Sequence, residues 1–254
     1  MKTKTSSKRQ PAKKSSTTKL WNQVKPWQKV TGSVVVLVFA VTLFALVPQT
    51  HSAASAPVPS GAVVTPYGSI GKWMLQSDGS VSNYGGQLYQ NKTLLEVVNA
   101  IIVDPTSKTA AASTTKLNSD MTAAGFGTQF GHSTGFSGVI NNTTYAQQPT
   151  GWLSAFSDNY FWTQNNHGRL FGPAPATGGG YVYSGALSTE TPGFYGWTYT
   201  HLYVSSNTAR NALAHDLVAS GQIQAASINM NNTYNTTDTT TGDHDGNAVV
   251  IVLK

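Results

Sequence analysis

The sequence predicts an α+β protein: a single compact outer domain with a mixed or mostly antiparallel sheet and two main helices, preceded by one N-terminal apolar segment. Three observations carry this reading. The chain opens on a basic stretch followed by an uncharged apolar run. Two strand–cap–helix–glycine successions then occur far apart in the sequence. Between and after them lie short β-branched and aromatic runs punctuated by Gly, Pro and Asn, the mark of strands and turns.

Nine of the sixteen Lys and Arg lie before Thr31, and no acid accompanies them. Residues 1–29 are read as a cytoplasmic tail. Residues 30–50 carry no charge, and Val34–Val47 is apolar apart from Thr42. A positive flank followed by an apolar run is an export signal or a membrane anchor with the positive side held inside. The 14-residue run suits a signal peptide, and the whole uncharged window approaches the roughly 20 residues of a span. Cleavage near Ser55 and retention as a signal-anchor both remain open. Either outcome puts the remainder outside the cell. Residues 51–65, rich in Ala, Pro and Ser, are read as a linker.

The pI near 9.4 reflects the tail alone. From Thr31 onward seven Lys and Arg face ten Asp and Glu, a net −3. Nucleic-acid binding is therefore not expected, and the tail is better suited to anionic lipid headgroups. The absence of cysteine excludes a disulfide framework, thiol catalysis and cysteine metal sites.

Within the outer part, residues 66–87 contain Asp78-Gly79 between two short alternating stretches, a β-hairpin signal. The main domain is expected over residues 88–254. Val97–Val103 reads as a buried strand. Lys108–Ala124 reads as a helix, with Leu117 and Met121 on one face and Gly125 as its stop. His201–Val204 reads as a strand. Ser205-Ser206-Asn207 supplies a cap, and Thr208–Ser220 reads as a helix with Ala209, Leu213 and Leu217 along one stripe. Further strands are expected at Gly168–Phe171, Tyr181–Leu187, Ile223–Met230 and Ala248–Leu253, the first two joined by the PAPATGGG loop, residues 173–180.

Several of these pieces together resemble a known family. They are Asn166-His167-Gly168-Arg169-Leu170-Phe171, the Gly-rich loop before Val182-Tyr183-Ser184-Gly185-Ala186-Leu187-Ser188, Thr200-His201 with the helix after it, and Asp245-Gly246 before the last strand. Residues 88–254 thus resemble the LssY-type C-terminal domain of bacterial envelope proteins. The resemblance implies a compact domain in the cell envelope. It implies no reaction, since the family's label as a type I secretion component is a weak one. Phe171 stands where the family often has Trp, and one apolar segment replaces the larger membrane region that often precedes the domain.

Four residues form the candidate binding set: His167, Arg169, His201 and Asp245. His167 and Arg169 lie two apart on an expected strand and so share a face. With His201 and Asp245 they could line a polar pocket, Arg offering a planar fork and His a donor or proton. The competing reading is a hydrogen-bond network pinning strand ends.

Other motifs carry less. Gly131-His132-Ser133-Thr134-Gly135 matches the G-x-S-x-G elbow, with Asp158 and then His201, His215 or His244 following. The neighbouring sequence lacks the strand and helix that elbow needs. Asp243-His244-Asp245 has weak metal-ligand spacing and reads as a solvated turn. Trp152, Tyr160, Phe161, Trp162, Tyr195 and Trp197 could be core-edge aromatics or a sugar platform.

The expectation is therefore an exported or membrane-anchored envelope protein acting as a non-enzymatic binding or interaction module, with no catalytic set, metal or cofactor assigned. Its expected partners are the membrane, through the N-terminal segment, and an envelope polysaccharide or protein. The alternatives are a serine hydrolase using Ser133 and a component of a secretion or envelope assembly.

Overall fold

The structure, a computed structural model, describes residues 61–254. The expected tail, the apolar segment and most of the linker lie outside the described residues. Among these residues no helix is long and apolar enough to cross a membrane.

The elements run β1 (Ala62–Thr65), β2 (Gly68–Gly71), β3 (Leu88–Tyr89), β4 (Lys92–Leu94), β5 (Ala100–Asp104), α1 (Ala110–Ala123), β6 (Thr128–Phe130), β7 (Ser137–Ile140), β8 (Thr143–Gln148) and β9 (Ser154–Ser157). They continue with β10 (Asn165–Pro175), β11 (Tyr181–Tyr195), β12 (Thr198–Ser205), α2 (Ser206–Ala219), β13 (Ile223–Asn229), β14 (Thr239–Thr240) and β15 (Asn247–Val252). The domain is α+β: two helices among the described residues and a strand-rich mixed sheet.

Both helices begin and end for identifiable reasons. The Thr109 hydroxyl accepts from the Ala112 amide, and the Ser205 hydroxyl accepts from the Thr208 amide. Each bond satisfies one otherwise orphaned N–H of a first turn. After α1 the chain turns at Gly125, φ +83°, and the Phe126 amide bonds back to the Met121 carbonyl. After α2, Gly221 and Gln222 repeat the device onto Leu217. A left-handed glycine with this backward bond is the Schellman stop.

The main sheet has the path β1-β2-β7-β8-β10-β11-β5-β15-β13, with β12 on β11 and β9 and β6 on β10. All its pairs are antiparallel except β15 with β5. Leu117, Met121, Leu213 and Leu217 of the helices pack on Ile102, Leu170, Tyr183, Leu187 and Ile251. The alternate residues Ile101, Val103, Val182 and Val250 face the other way, where Ile70 of β2 and Ile140 of β7 cover them. The β1-β2-β7-β8 arm therefore folds over the face opposite the helices. Being buried on both faces explains why β5 and β15 are continuous apolar runs.

Residues 66–87 are sewn into this domain. Asp78-Gly79 does turn the chain, with Leu75 bridging Val81. Leu75 also bridges Ser137, and Trp73 bridges Val97. β10 and β11 run longer than the apolar patterning suggests, because their outer halves carry polar side chains. Those halves build the site.

Candidate metal centre

Alternation along β10 sends Gly168 and Leu170 toward the helices and Asn165, His167, Arg169 and Phe171 away from them. On β11, Leu187 faces the helices, so Ser188 and Glu190 face the site. Register places His167 opposite Ser188, Asn165 opposite Glu190, and His201 of β12 opposite Pro192. His167, Glu190 and His201 therefore meet on one face of three adjacent strands. Gly168 is required there: a Cβ on it would lie 2.5 Å from the Ala186 carbonyl oxygen.

A third imidazole enters from the loop between β6 and β7. Arg169 holds that loop, its Nε and Nη2 donating to the Ser133 carbonyl at 3.2 and 2.9 Å. Nη2 also donates to the Ser133 hydroxyl at 3.2 Å, and the guanidinium lies over the Phe136 ring at 4.8 Å. Gly131, φ +105°, lets the backbone pass beneath Phe161, whose ring a Cβ would strike at 2.5 Å. His132 thereby points inward. Its ring centroid is 4.3 Å from that of His167 and 5.6 Å from that of His201.

One ring nitrogen from each of His132, His167 and His201 lies within 4.8 Å of one from each of the others. The three are 3, 2 and 9 % exposed, and Glu190 is 6 % exposed. Hydrogen bonds fix two of the tautomers. Asn165 Nδ2 donates to the carbonyls of Tyr160 and Thr163, so its Oδ1 faces His167 Nδ1 at 2.7 Å. An amide oxygen only accepts, so His167 Nδ1 carries the proton and Nε2 keeps its lone pair. His201 Nε2 donates to the Phe161 carbonyl, leaving the lone pair on Nδ1. His132 Nε2 is buried without a hydrogen-bond partner.

Glu190 straddles two of these lone pairs. Its Oε1 is 3.5 Å from His167 Nε2, and its Oε2 is 3.6 Å from His201 Nδ1. Ser188 donates to Oε1 at 2.7 Å. The two His–Glu separations are long for hydrogen bonds. They are close to the edge of a tetrahedron around a zinc-class ion, about 3.3 Å for bonds of about 2.0–2.1 Å.

Burial sets the charge states. Desolvation pushes His132 down to about 3, helped by the Arg169 charge and by His201. Burial likewise lowers His167 and His201, again with Arg169 opposing the charged form. The imidazoles are thus neutral, as ligation requires. Burial raises Glu190 to about 7 against the pull of Ser188 and Arg169. It also raises Glu96, bonded to the Ser82 hydroxyl, to about 7. The arrangement can hold a cation between neutral nitrogens and a carboxylate that ionises in its presence.

Of the residues expected at the site, His167, Arg169 and His201 come together. Asp245 does not join them. It receives Arg210 Nη1 at 2.6 Å and Nη2 at 3.0 Å, beside α2. His132 and Glu190 complete the cluster and were not singled out as site residues from the sequence. His132 sits inside the G-x-S-x-G match, where the serine drew the attention. Ser133 is exposed and held by Arg169, and among the described residues no histidine bonds to its hydroxyl. β6 precedes it, but residues 136–140 run into a strand, not the helix an elbow needs.

Asp243-His244-Asp245, read as a solvated turn, instead holds a buried histidine between two hydrogen-bonded carboxylates, with His244 Nδ1 left without a partner. Asp243 accepts from Tyr203, Ser205 and the Ser206 amide at the start of α2, and His244 Nε2 bonds Asn232 Oδ1 at 2.7 Å. His215 is exposed beside Asp216.

Compared with models of known protein families, with curated proteins and with solved structures, the chain matches none.

Proposed function

We propose that this chain is a non-enzymatic metal-binding module tethered to or exported across the bacterial cell membrane. The metal is a zinc-class divalent ion held by His132, His167, His201 and Glu190. One observation carries the reading: two imidazole lone pairs with fixed tautomers flank a carboxylate whose one side-chain donor is Ser188, and a third imidazole lies alongside with a nitrogen unpartnered. Acceptors facing acceptors in a buried place repel unless a cation or proton lies among them. Three imidazoles and a carboxylate suit zinc and its neighbours rather than calcium or magnesium, which favour all-oxygen shells.

The burial of all four groups argues for holding over turnover. Catalytic zinc sites keep a solvent or substrate position, and structural ones are closed. Drawing the nitrogens from within 4.8 Å to a tetrahedral edge is a closure of at most about 1.5 Å. Such an ion would cross-link β10, β12 and the β6–β7 loop. The extracellular setting rests on the basic tail and apolar segment of the sequence.

The test is zinc content and thermal melting of the purified full-length protein, with His132→Ala and His167→Ala as variants. One zinc per chain is expected, with a rise in melting temperature on zinc addition. Both variants should lose the ion while their zinc-free melting stays cooperative. Equal zinc uptake by wild type and by the double variant would overturn the reading. Labelling of Ser133 by a fluorophosphonate would instead favour a serine hydrolase.

A further inference from the structure

The ribbon of β11 and β12 extends past the metal centre and ends in a bare aromatic tip. Phe194, Tyr195, Trp197 and Tyr199 are all exposed there, Trp197 at 98 %. Residues 191–200, TPGFYGWTYT, contain no charge. Phe194 and Tyr199 meet edge to face at 5.4 Å. Beside the base of the tip, Tyr160 and Trp162 stack at 4.7 Å and are also exposed. That loop is anchored at Phe161, whose carbonyl receives His201 Nε2. Both aromatic groups therefore stand at the same end of the β10-β11-β12 ribbon.

We infer that this end of the domain docks on the outer surface of the lipid bilayer, with Trp197 and Phe194 entering the headgroup layer. Trp and Tyr have amphipathic rings that settle at the membrane–water interface. A charge-free tip enters without the cost of burying an ion. A flat sugar platform is disfavoured, because the tip rings stand edge to face and Tyr160 and Trp162 each spend one face on the other.

The occupant follows from the chain itself, and the inference rests on the tethered reading of residues 30–50. Only ten residues, 51–60, separate that window from Gly61. Fully extended they reach at most about 36 Å. The tether therefore holds Gly61 within about 36 Å of the bilayer surface and keeps the domain beside it.

The chain has no cysteine, so one introduced cysteine is a unique label site. Full-length protein carrying Thr198→Cys with a nitroxide, Trp197 intact, would be reconstituted into phosphatidylcholine–phosphatidylglycerol vesicles. Val218→Cys is the control: it is exposed near the end of α2. Gln222, just beyond it, bonds Lys254 beside Val252, which aligns through Val103 with Val182, the far end of β11 from the tip. Collision with membrane-dissolved oxygen should dominate at 198, and collision with aqueous chromium oxalate should fall several-fold relative to 218. Adding Trp197→Ser and Phe194→Ser should return the label to water while zinc uptake is unchanged. Equal chromium oxalate access at 198 and 218 overturns the inference. So does spin–spin broadening at 198 without membrane contact, which would mean a second copy covers the tip. Failure of the full chain to float with the vesicles overturns the tether and, with it, the inference, whereas loss of zinc binding alone overturns only the metal reading.

Discussion

Two polar knots lie on this domain, one half-open to solvent around Arg210 and Asp245 and one buried around Glu190, and their donors and acceptors balance differently. Around Arg210 every partner is complementary: the guanidinium donates to both oxygens of Asp245 and to the Asn247 carbonyl, and the Asp245 carboxylate also accepts from the Asn247 amide. Around Glu190 the groups are alike. Lone pairs of His167 and His201 face carboxylate oxygens at 3.5 and 3.6 Å, and His132 Nε2 faces no partner. The first knot is complete as it stands. The second is complete only with a cation, or a proton on Glu190, in it. Polarity and perturbed carboxyl titration are common to both, so neither of them separates a structural network from a site. The balance of donors and acceptors does.

The largest effect that could break this contrast is on zinc response. At a hundredfold excess over its dissociation constant a bound ion adds about 2.7 kcal/mol. For a domain of this size that is a rise of roughly 5–10 °C in melting temperature. His167→Ala should abolish the rise, and Glu190→Gln should shrink it. A rise of wild-type size in His167→Ala would place the ion elsewhere.

Asp245→Ala tests the other knot. It leaves a mostly buried guanidinium without its carboxylate, at a cost of about 1–2 kcal/mol given that Asp245 itself is partly exposed. Denaturant melts should show that loss at every zinc concentration, with the zinc-induced rise unchanged. A loss of zinc response in this variant would mean that the two knots are coupled.

Acid sharpens the contrast further. His132, His167, His201 and His244 are all lowered by burial, so below about 6.5 the unfolded chain binds protons that the folded one refuses. Glu96 and Glu190, raised to about 7, bind protons more readily when folded and oppose this. Four histidines against two carboxyls leave a net loss of stability as pH falls from 6.5 toward 4.5. Without metal, melting temperature should climb from pH 5 and level off near pH 7. Zinc should steepen the climb, because Glu190 must give up its proton to bind. A profile flat from pH 5 to 7 would contradict the buried neutral histidines. The smallest effect belongs to Ser133→Ala, which removes one 3.2 Å bond from Arg169 and leaves the carbonyl bonds in place. Its melting and zinc response should match wild type within about 0.5 kcal/mol.

The elements with strong apolar periodicity were legible in the sequence. Both helices fall where Leu117 with Met121 and Ala209 with Leu213 and Leu217 placed them, stopped by Gly125 and Gly221. β5, β13 and β15 match their apolar runs to within a few residues. β8, TTYAQQ, carries no apolar alternation, and its assignment comes from pairing with β7 and β10. Half of the candidate site was legible because His167 and Arg169 share a strand face by simple alternation, and His201 lies on a recognisable strand. Nothing in the local pattern gives Asp245 a register against β10, and Arg210 holds it beside α2 instead. Glu190 was hidden in a polar extension of β11. His132 depends on an Arg169–Ser133 contact spanning 36 residues, which no local pattern announces.

The most direct test of the central claim is the long-range proton–nitrogen spectrum of the imidazoles at pH 7, before and after one equivalent of zinc. The account predicts neutral rings, with the proton on Nδ1 in His167 and on Nε2 in His201. Zinc should shift the unprotonated nitrogens of His132, His167 and His201 together and leave His244 and His215 in place. Protonated imidazolium rings in the cluster, or nitrogen shifts indifferent to zinc, would contradict it.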